Sequence, residues 1–196
     1  MNKPTVLKIT AGALATVVLG TALVYYNFID KPSEAKVEKG APCMDFTAKT
    51  YAVNENGEFY ADGNTFTLTD NVGKVVVINF WETWCSACVH ELPYFDRIQK
   101  EYEGEVEVLA LAGVTSTVDA AAAWMNRDGW ATVTPETDWR DFSLTVGWLE
   151  TETCTDMGCL GSLPRTVIVN KKGIVSYAAD GSMTYESLKS EIEALL

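Results

Sequence analysis

The run Val75-Val76-Val77-Ile78-Asn79-Phe80-Trp81 leads through Glu82 and Thr83 into Trp84-Cys85-Ser86-Ala87-Cys88, and this junction constrains the chain more than any other stretch. A short continuous apolar run bounded by Gly73 and Lys74 predicts a strand over 75–80, buried on both faces. Beyond Cys88, Leu92, Phe95, Ile98 and Tyr102 recur at helical spacing with polar residues between them, so a helix is expected to start at or just after Cys85. Two thiols three positions apart at a strand-to-helix switch can be oxidised and reduced without moving the backbone far, which predicts thiol–disulfide exchange. A thiolate at Cys85 gains from the unpaired backbone N–H groups and the positive end of the helix dipole. Such a setting takes a cysteine from a pKa near ~8.5 to roughly 3.5–7.5. Cys85 is therefore the expected nucleophile. Cys88, one turn in and more shielded, is the expected resolving thiol that attacks the mixed disulfide.

Three other uses of the pair compete with exchange. Haem attachment is excluded, because Val89 rather than histidine follows Cys88. A zinc site would need Cys154 and Cys159, whose spacing is permissible for a four-cysteine site. An apolar strand running directly into the pair fits redox use better than a metal knuckle, so no metal ligands and no cofactor are expected. A purely structural disulfide is disfavoured because so short a loop restricts little chain entropy.

The 196 residues leave room for one domain of ordinary size plus a targeting segment. Lys3 and Lys8 precede Ile9 to Ile29, 21 positions without a charge, which is long enough to span a bilayer. Asp30, Glu34 and Glu38 follow. The positive-inside rule then puts the N-terminus in the cytoplasm and everything after residue 30 outside, with Tyr25, Tyr26 and Phe28 as an interfacial belt. A cleaved signal peptide is the alternative, but Gly20-Thr21-Ala22 is a poor cleavage cue because apolar residues continue past it. Expected are a single-pass anchor over 1–30, a tether over 31–42 and one domain over 43–196, facing the extracytoplasmic side, where disulfides persist. The chain has 15 basic and 27 acidic residues; without Lys3 and Lys8 this is 13 against 27, a net of −14 beyond the anchor. That sign disfavours nucleic-acid binding and suits a soluble extracytoplasmic domain.

Asp45 to Val53 and Phe59 to Leu68 flank Asn54-Glu55-Asn56-Gly57, whose Asn-Gly predicts an N-terminal β-hairpin. Strand 75–80, the motif helix and a second buried strand, Val106 to Ala112, form a β-α-β unit. A helix is expected over Ala120 to Met125, stopped by Gly129, and a short helix over Trp139 to Trp148. Strands Thr166 to Val169 and Ile174 to Ala178, joined by Lys171-Lys172-Gly173, precede a terminal helix from about Tyr185. Thr184 or Ser182 is placed to cap it.

Taken together, Phe80-Trp81-Glu82-Thr83-Trp84-Cys85-Ser86-Ala87-Cys88, then Glu91-Leu92-Pro93, then Leu163-Pro164-Arg165-Thr166-Val167-Ile168-Val169-Asn170, resemble the TlpA/ResA-like branch of the thioredoxin superfamily. The resemblance covers roughly residues 41 to 196. It implies an α/β thioredoxin fold, a mixed central sheet flanked by helices, with an added N-terminal hairpin. It further implies a membrane-anchored oxidoreductase exchanging disulfides with cysteine-containing extracytoplasmic proteins and re-reduced by a membrane thiol–disulfide transporter. Cytochrome c maturation or disulfide repair is the implied setting. Pro164 matches the family's cis-proline, and Trp84, Leu163 and Pro164 would form the ledge that meets substrate. Glu91 matches an acid on the motif helix that could take or return the proton of Cys88 if burial raises its pKa.

The chain also departs from that pattern. Asn79 stands where thioredoxin itself carries a buried acid, so proton handling shifts to Glu91 or Glu82. Glu82 replaces a small residue; its charge would oppose a Cys85 thiolate, so it is expected to point outward. His90 is expected at the surface, since i and i+2 point to different helix faces. Cys154 and Cys159 lie in an apparent insertion before the cis-proline strand, where they would form a loop-closing disulfide or a second redox pair in relay with the first. Cys43 is left over, either buried or free to bridge another molecule. Ser86-Ala87 between the thiols leaves the direction of electron flow open between a reductase and a disulfide-forming oxidase.

Overall fold

The structure, a computed structural model, describes residues 37–127 and 139–196. Strands β1 (Thr47–Val53) and β2 (Phe59–Thr67) form the expected N-terminal hairpin, antiparallel with Val53 opposite Phe59. Asn54 closes its turn, its side-chain oxygen accepting from the N–H groups of Asn56 and Glu58. Strand β3 (Val75–Phe80) then enters helix α1 (Ser86–Glu101), and β4 (Val106–Ala112) completes the β-α-β unit. After helix α2 (Val118–Met125) come β5 (Thr145–Trp148) and the short helix α3 (Thr151–Asp156). Strands β6 (Arg165–Val169) and β7 (Val175–Asp180) and helix α4 (Tyr185–Glu193) close the fold. Thr184 rather than Ser182 caps α4, its hydroxyl accepting from the N–H of Ser187 at 3.2 Å.

The seven strands form one mixed sheet in the order β2-β1-β5-β4-β3-β6-β7. β3, β4 and β5 run parallel, and β6 returns antiparallel beside β3. β3 is buried along its whole length because both faces are covered. Val75, Val77 and Trp81 meet Val89, Leu92, Phe95 and Ile98 of α1 and Leu188 and Ile192 of α4 on one face. Val76, Ile78 and Phe80 meet Phe46, Leu68, Leu149 and Met157 on the other. The period-two alternation puts Asn79 on the α1 face, where no apolar residue could serve a polar partner.

Two sequence expectations are corrected. Residues 139–148 do not form a helix: after a single helical turn at Trp139–Asp141, Thr145–Trp148 is a strand between β1 and β4, antiparallel to the first and parallel to the second. Gly147 permits this close fit, since a Cβ there would stand 2.8 Å from the Lys49 carbonyl oxygen. The segment from Val37 onward is not a free tether. Val37 is buried, the Gly40 N–H donates to the Val175 carbonyl at 2.7 Å, and the Cys43 N–H donates to that of Gly173 at 2.9 Å. The expected anchor, the remainder of the tether and the Gly129 stop lie outside the described residues. No helix among the described residues is long and apolar enough to cross a membrane.

Candidate active site

The C-terminal ends of β3 and β4 and the N-terminal end of the antiparallel β6 bring the candidate residues together. Phe80 pairs with Arg165, so the neighbouring Pro164 lies level with the start of the motif loop. The Leu163-Pro164 bond is cis, as the resemblance implies, and Leu163 packs against the clusters on both sheet faces. Cys85 and Cys88 are joined as a disulfide. Cys85 occupies the N-cap of α1, its sulfur accepting from the N–H of Cys88 at 3.3 Å. That is the position at which the free N–H groups of a helix stabilise a thiolate. Cys85 keeps 6% exposure and Cys88 none, the ordering expected of a nucleophile and its resolving partner. Trp84 is 62% exposed, yet its indole N–H is held by the Thr115 hydroxyl at 3.0 Å, which sets the ring beside the pair.

Glu91, one helical turn beyond Cys88 on α1, is buried. Its two oxygens accept from the Asn79 amide at 2.7 Å and from the Met183 N–H at 2.8 Å. Burial pushes this carboxyl up, the two donors oppose the push only in part, and its pKa stands at about 7. When Glu91 is protonated its O–H needs an acceptor. Asn79 Oδ1, without a hydrogen-bond partner in the present orientation, supplies one if the amide turns over. Asn79, placed where a buried acid might have stood, therefore serves Glu91 in both protonation states.

Glu82 overturns the expectation that it points outward. It is fully buried, and Oε1 accepts from the N–H groups of Gly113 (3.2 Å), Thr115 (2.9 Å) and Ser116 (3.2 Å). Oε2 accepts from the Ser116 hydroxyl and from the Thr83 N–H at 3.4 Å. Burial alone would raise this carboxyl. The Ser116 hydroxyl and the amides of Thr115, Ser116 and Gly113 outweigh burial and hold it below the usual carboxylate range. Repulsion toward Cys85 is local, whereas four of the five donors lie 31 to 34 residues away in the chain.

The remaining cysteines are free and buried. Cys154 and Cys159 are not joined in a disulfide, which corrects the expected loop closure. They lie in the apolar cluster on the sheet face opposite the one that holds Cys85 and Cys88. Burial, followed by a hydrogen bond with Cys154, keeps Cys159 protonated. Cys43 shares that cluster and is buried, which settles it as a core thiol; burial and then the charge of Asp45 push its pKa up to about 12. The four thiols of a zinc site thus do not converge, and among the described residues no three Cys, His, Asp or Glu side chains gather to hold a metal. His90 is exposed, its ring nitrogen against the Ser86 carbonyl at 2.7 Å.

Comparison with known proteins agrees with this geometry. Thiol-disulfide oxidoreductase ResA of Geobacillus thermodenitrificans is 28% identical over 176 residues, covering 88% of this chain and 85% of the relative. Thioredoxin-like protein YneN of Bacillus subtilis is 27% identical over 184 residues, covering 93% and 95%. Among solved structures, a DsbE-type thiol:disulfide interchange protein from Chlorobium tepidum superposes with a TM-score of 0.61 at 21% identity. It covers 82% of this chain and 99% of its own, and so establishes a thioredoxin-like fold. Residues 37–196 match the Redoxin family, and the chain belongs to that family as a TlpA/ResA-like member of the thioredoxin superfamily.

Proposed function

We propose that the protein is an extracytoplasmic thiol–disulfide oxidoreductase that reduces disulfides of cysteine-containing proteins, held at the membrane by residues 1–30. The observation that carries the reading is the Cys85–Cys88 disulfide at the N-terminus of α1, level with cis-Pro164 and one turn from a buried Glu91. In the reduced enzyme the Cys85 thiolate attacks one sulfur of the substrate disulfide, forming a mixed disulfide and expelling the first substrate thiolate. Cys88 loses its proton to Glu91 and attacks Cys85 Sγ, which releases the second substrate thiolate and leaves the Cys85–Cys88 bond. Two electrons pass to the substrate, and a membrane thiol–disulfide transporter returns two to the pair. Trp84 and the Leu163-Pro164 ledge present the substrate strand. ResA of Geobacillus thermodenitrificans is named a thiol-disulfide oxidoreductase, which supports the exchange chemistry; reduction in a setting such as cytochrome c maturation or disulfide repair is the use we propose for it.

The test is insulin reduction driven by dithiothreitol, together with trapping by Cys88→Ser. The variant should accumulate a mixed disulfide through Cys85 and lose turnover. A redox titration of the pair separates a reductase, near the thioredoxin value of about −270 mV, from an oxidase near about −120 mV. Absence of exchange in the reduced wild-type protein would sink the proposal.

A further inference from the structure

We infer that Glu82 is a positioning residue for the redox reaction: a permanent buried negative charge that opposes the Cys85 thiolate, biases the pair toward reducing potentials, and ties down the loop that holds Trp84. The inference rests on the reading of Cys85 and Cys88 as an exchanging pair.

The geometry begins with the turn in which the Cys85 N–H donates to the Glu82 carbonyl at 2.9 Å. Such a turn brings the two α-carbons within about 7 Å, which places the Glu82 side chain in the immediate neighbourhood of Cys85. Glu82 stays ionised through the thiol titration because five donors face it, four of them from residues 113–116. The same loop spends its other groups on the site. The Thr115 hydroxyl holds the Trp84 indole, and the Ser116 carbonyl accepts from the Trp148 indole at 2.7 Å. Thr151 donates to the Gly113 carbonyl at 2.8 Å, so the loop is fixed from three sides around one carboxylate. The Glu82 charge is felt by Tyr51, which Asp119 also acts on, while Glu91 and the outward-turned His90 share α1 with the pair. Its five donors are four backbone N–H groups and one hydroxyl, so the charge is met by dipoles and still acts on Cys85.

A unit charge at about 10 Å with an effective dielectric of about 20 displaces a thiol by about one pKa unit. Thiolate formation stabilises the reduced form, so a thiol that ionises less readily loses part of that stabilisation; the disulfide is favoured and the pair reduces its partners more strongly.

Glu82→Gln is the informative variant because the amide can keep the bonds: its oxygen still accepts from Gly113, Thr115 and Ser116, and its NH2 donates to a Ser116 hydroxyl that turns round. In reduced protein, pH-dependent iodoacetamide alkylation should report a Cys85 pKa lower by about one unit, with up to tenfold faster alkylation below the titration. Against glutathione the potential should rise, approaching the roughly 30 mV per tenfold that applies above the thiol titration. Should Glu82→Gln fail to fold by circular dichroism, Glu82→Ala, which also removes the charge, is used in its place, and a folded variant whose Cys85 pKa does not fall overturns the inference. A folded Glu82→Gln protein with unchanged pKa and potential also overturns it, with the exchange reading intact. Failure of the wild-type pair to exchange with glutathione removes both.

Discussion

Glu91→Gln turns the buried carboxyl into a measurable slope of stability against pH. Burial moves Glu91 from 4.5 to about 7, a displacement of about 2.5 units. At about 1.4 kcal/mol per unit this corresponds to about 3 kcal/mol. The unfolded chain releases this proton near 4.5 and the folded one near 7. Between those values the unfolded state binds fewer protons than the native state, so the free energy of unfolding falls as pH rises. The contribution is fully present below the unfolded pKa and lost as pH passes through the folded one. The 27 acidic residues titrate over an overlapping range, so the readout is the difference between wild type and variant. Glutamine mimics the protonated acid: its oxygen accepts from the Met183 N–H and its NH2 donates to Asn79 Oδ1 once that amide turns over.

Urea unfolding of the oxidised proteins at a series of pH values should give curves that agree within about 1 kcal/mol at the acidic end, the scale of an ordinary hydrogen-bond exchange. They should diverge until Glu91→Gln is the more stable by about 3 kcal/mol above neutrality. In turnover the variant cannot accept the Cys88 proton, so release from the mixed disulfide should slow by roughly 10²-fold or more. A difference curve that stays flat between the two pKa values would refute the assignment of a buried, displaced carboxyl.

The other expectations need simpler assays. Cys154→Ala with Cys159→Ala should cost about 1–3 kcal/mol of stability and leave insulin reduction unchanged, because both thiols lie across the sheet from the active pair; slowed turnover at full stability would instead support the relay. Ellman's reagent should find no reactive thiol in the native oxidised protein and all three free cysteines after unfolding. Gly113→Ala places a Cβ 1.9 Å from the Leu149 carbonyl oxygen at a φ of +137°, and should destabilise by about 3 kcal/mol or more in a melting experiment. Thr115→Val removes the acceptor of the Trp84 indole; KM for a protein disulfide should rise by roughly 2- to 10-fold while reduction of a small disulfide is unaffected.

Local signals carried most of the architecture. The bounds of β3 and β4 were legible because runs buried on both faces are continuous, and Asn-Gly and Thr184 marked a hairpin and a helix start. Strand β5 was missed although Phe142, Leu144, Val146 and Trp148 alternate at period two and all join the α1-face cluster. The helical reading of 139–148 overlooked that alternation and the poor helix propensity of Gly147, Val146 and Thr145. The fate of Cys154 and Cys159 was not legible at all, because burial in the second cluster depends on where α3 packs.

Glu82 and Glu91 are both buried acids of the motif segment, although the sequence predicts burial only for Glu91. The structure separates them by donor count. Glu82 has five donors, most from the loop after β4, and stays charged; Glu91 has two and is brought near neutrality. Environments that push two carboxyls apart assign them different work. A charge that cannot leave is suited to holding a potential, and a proton that comes and goes near pH 7 is suited to the exchange step itself. The disulfide lies between them in the chain, with Glu82 three residues before Cys85 and Glu91 three residues after Cys88. The division also explains why Asn79 is not an acid here. A third buried carboxylate beside Glu91 would share one proton with it and drive its pKa further up, out of the range in which it can serve Cys88.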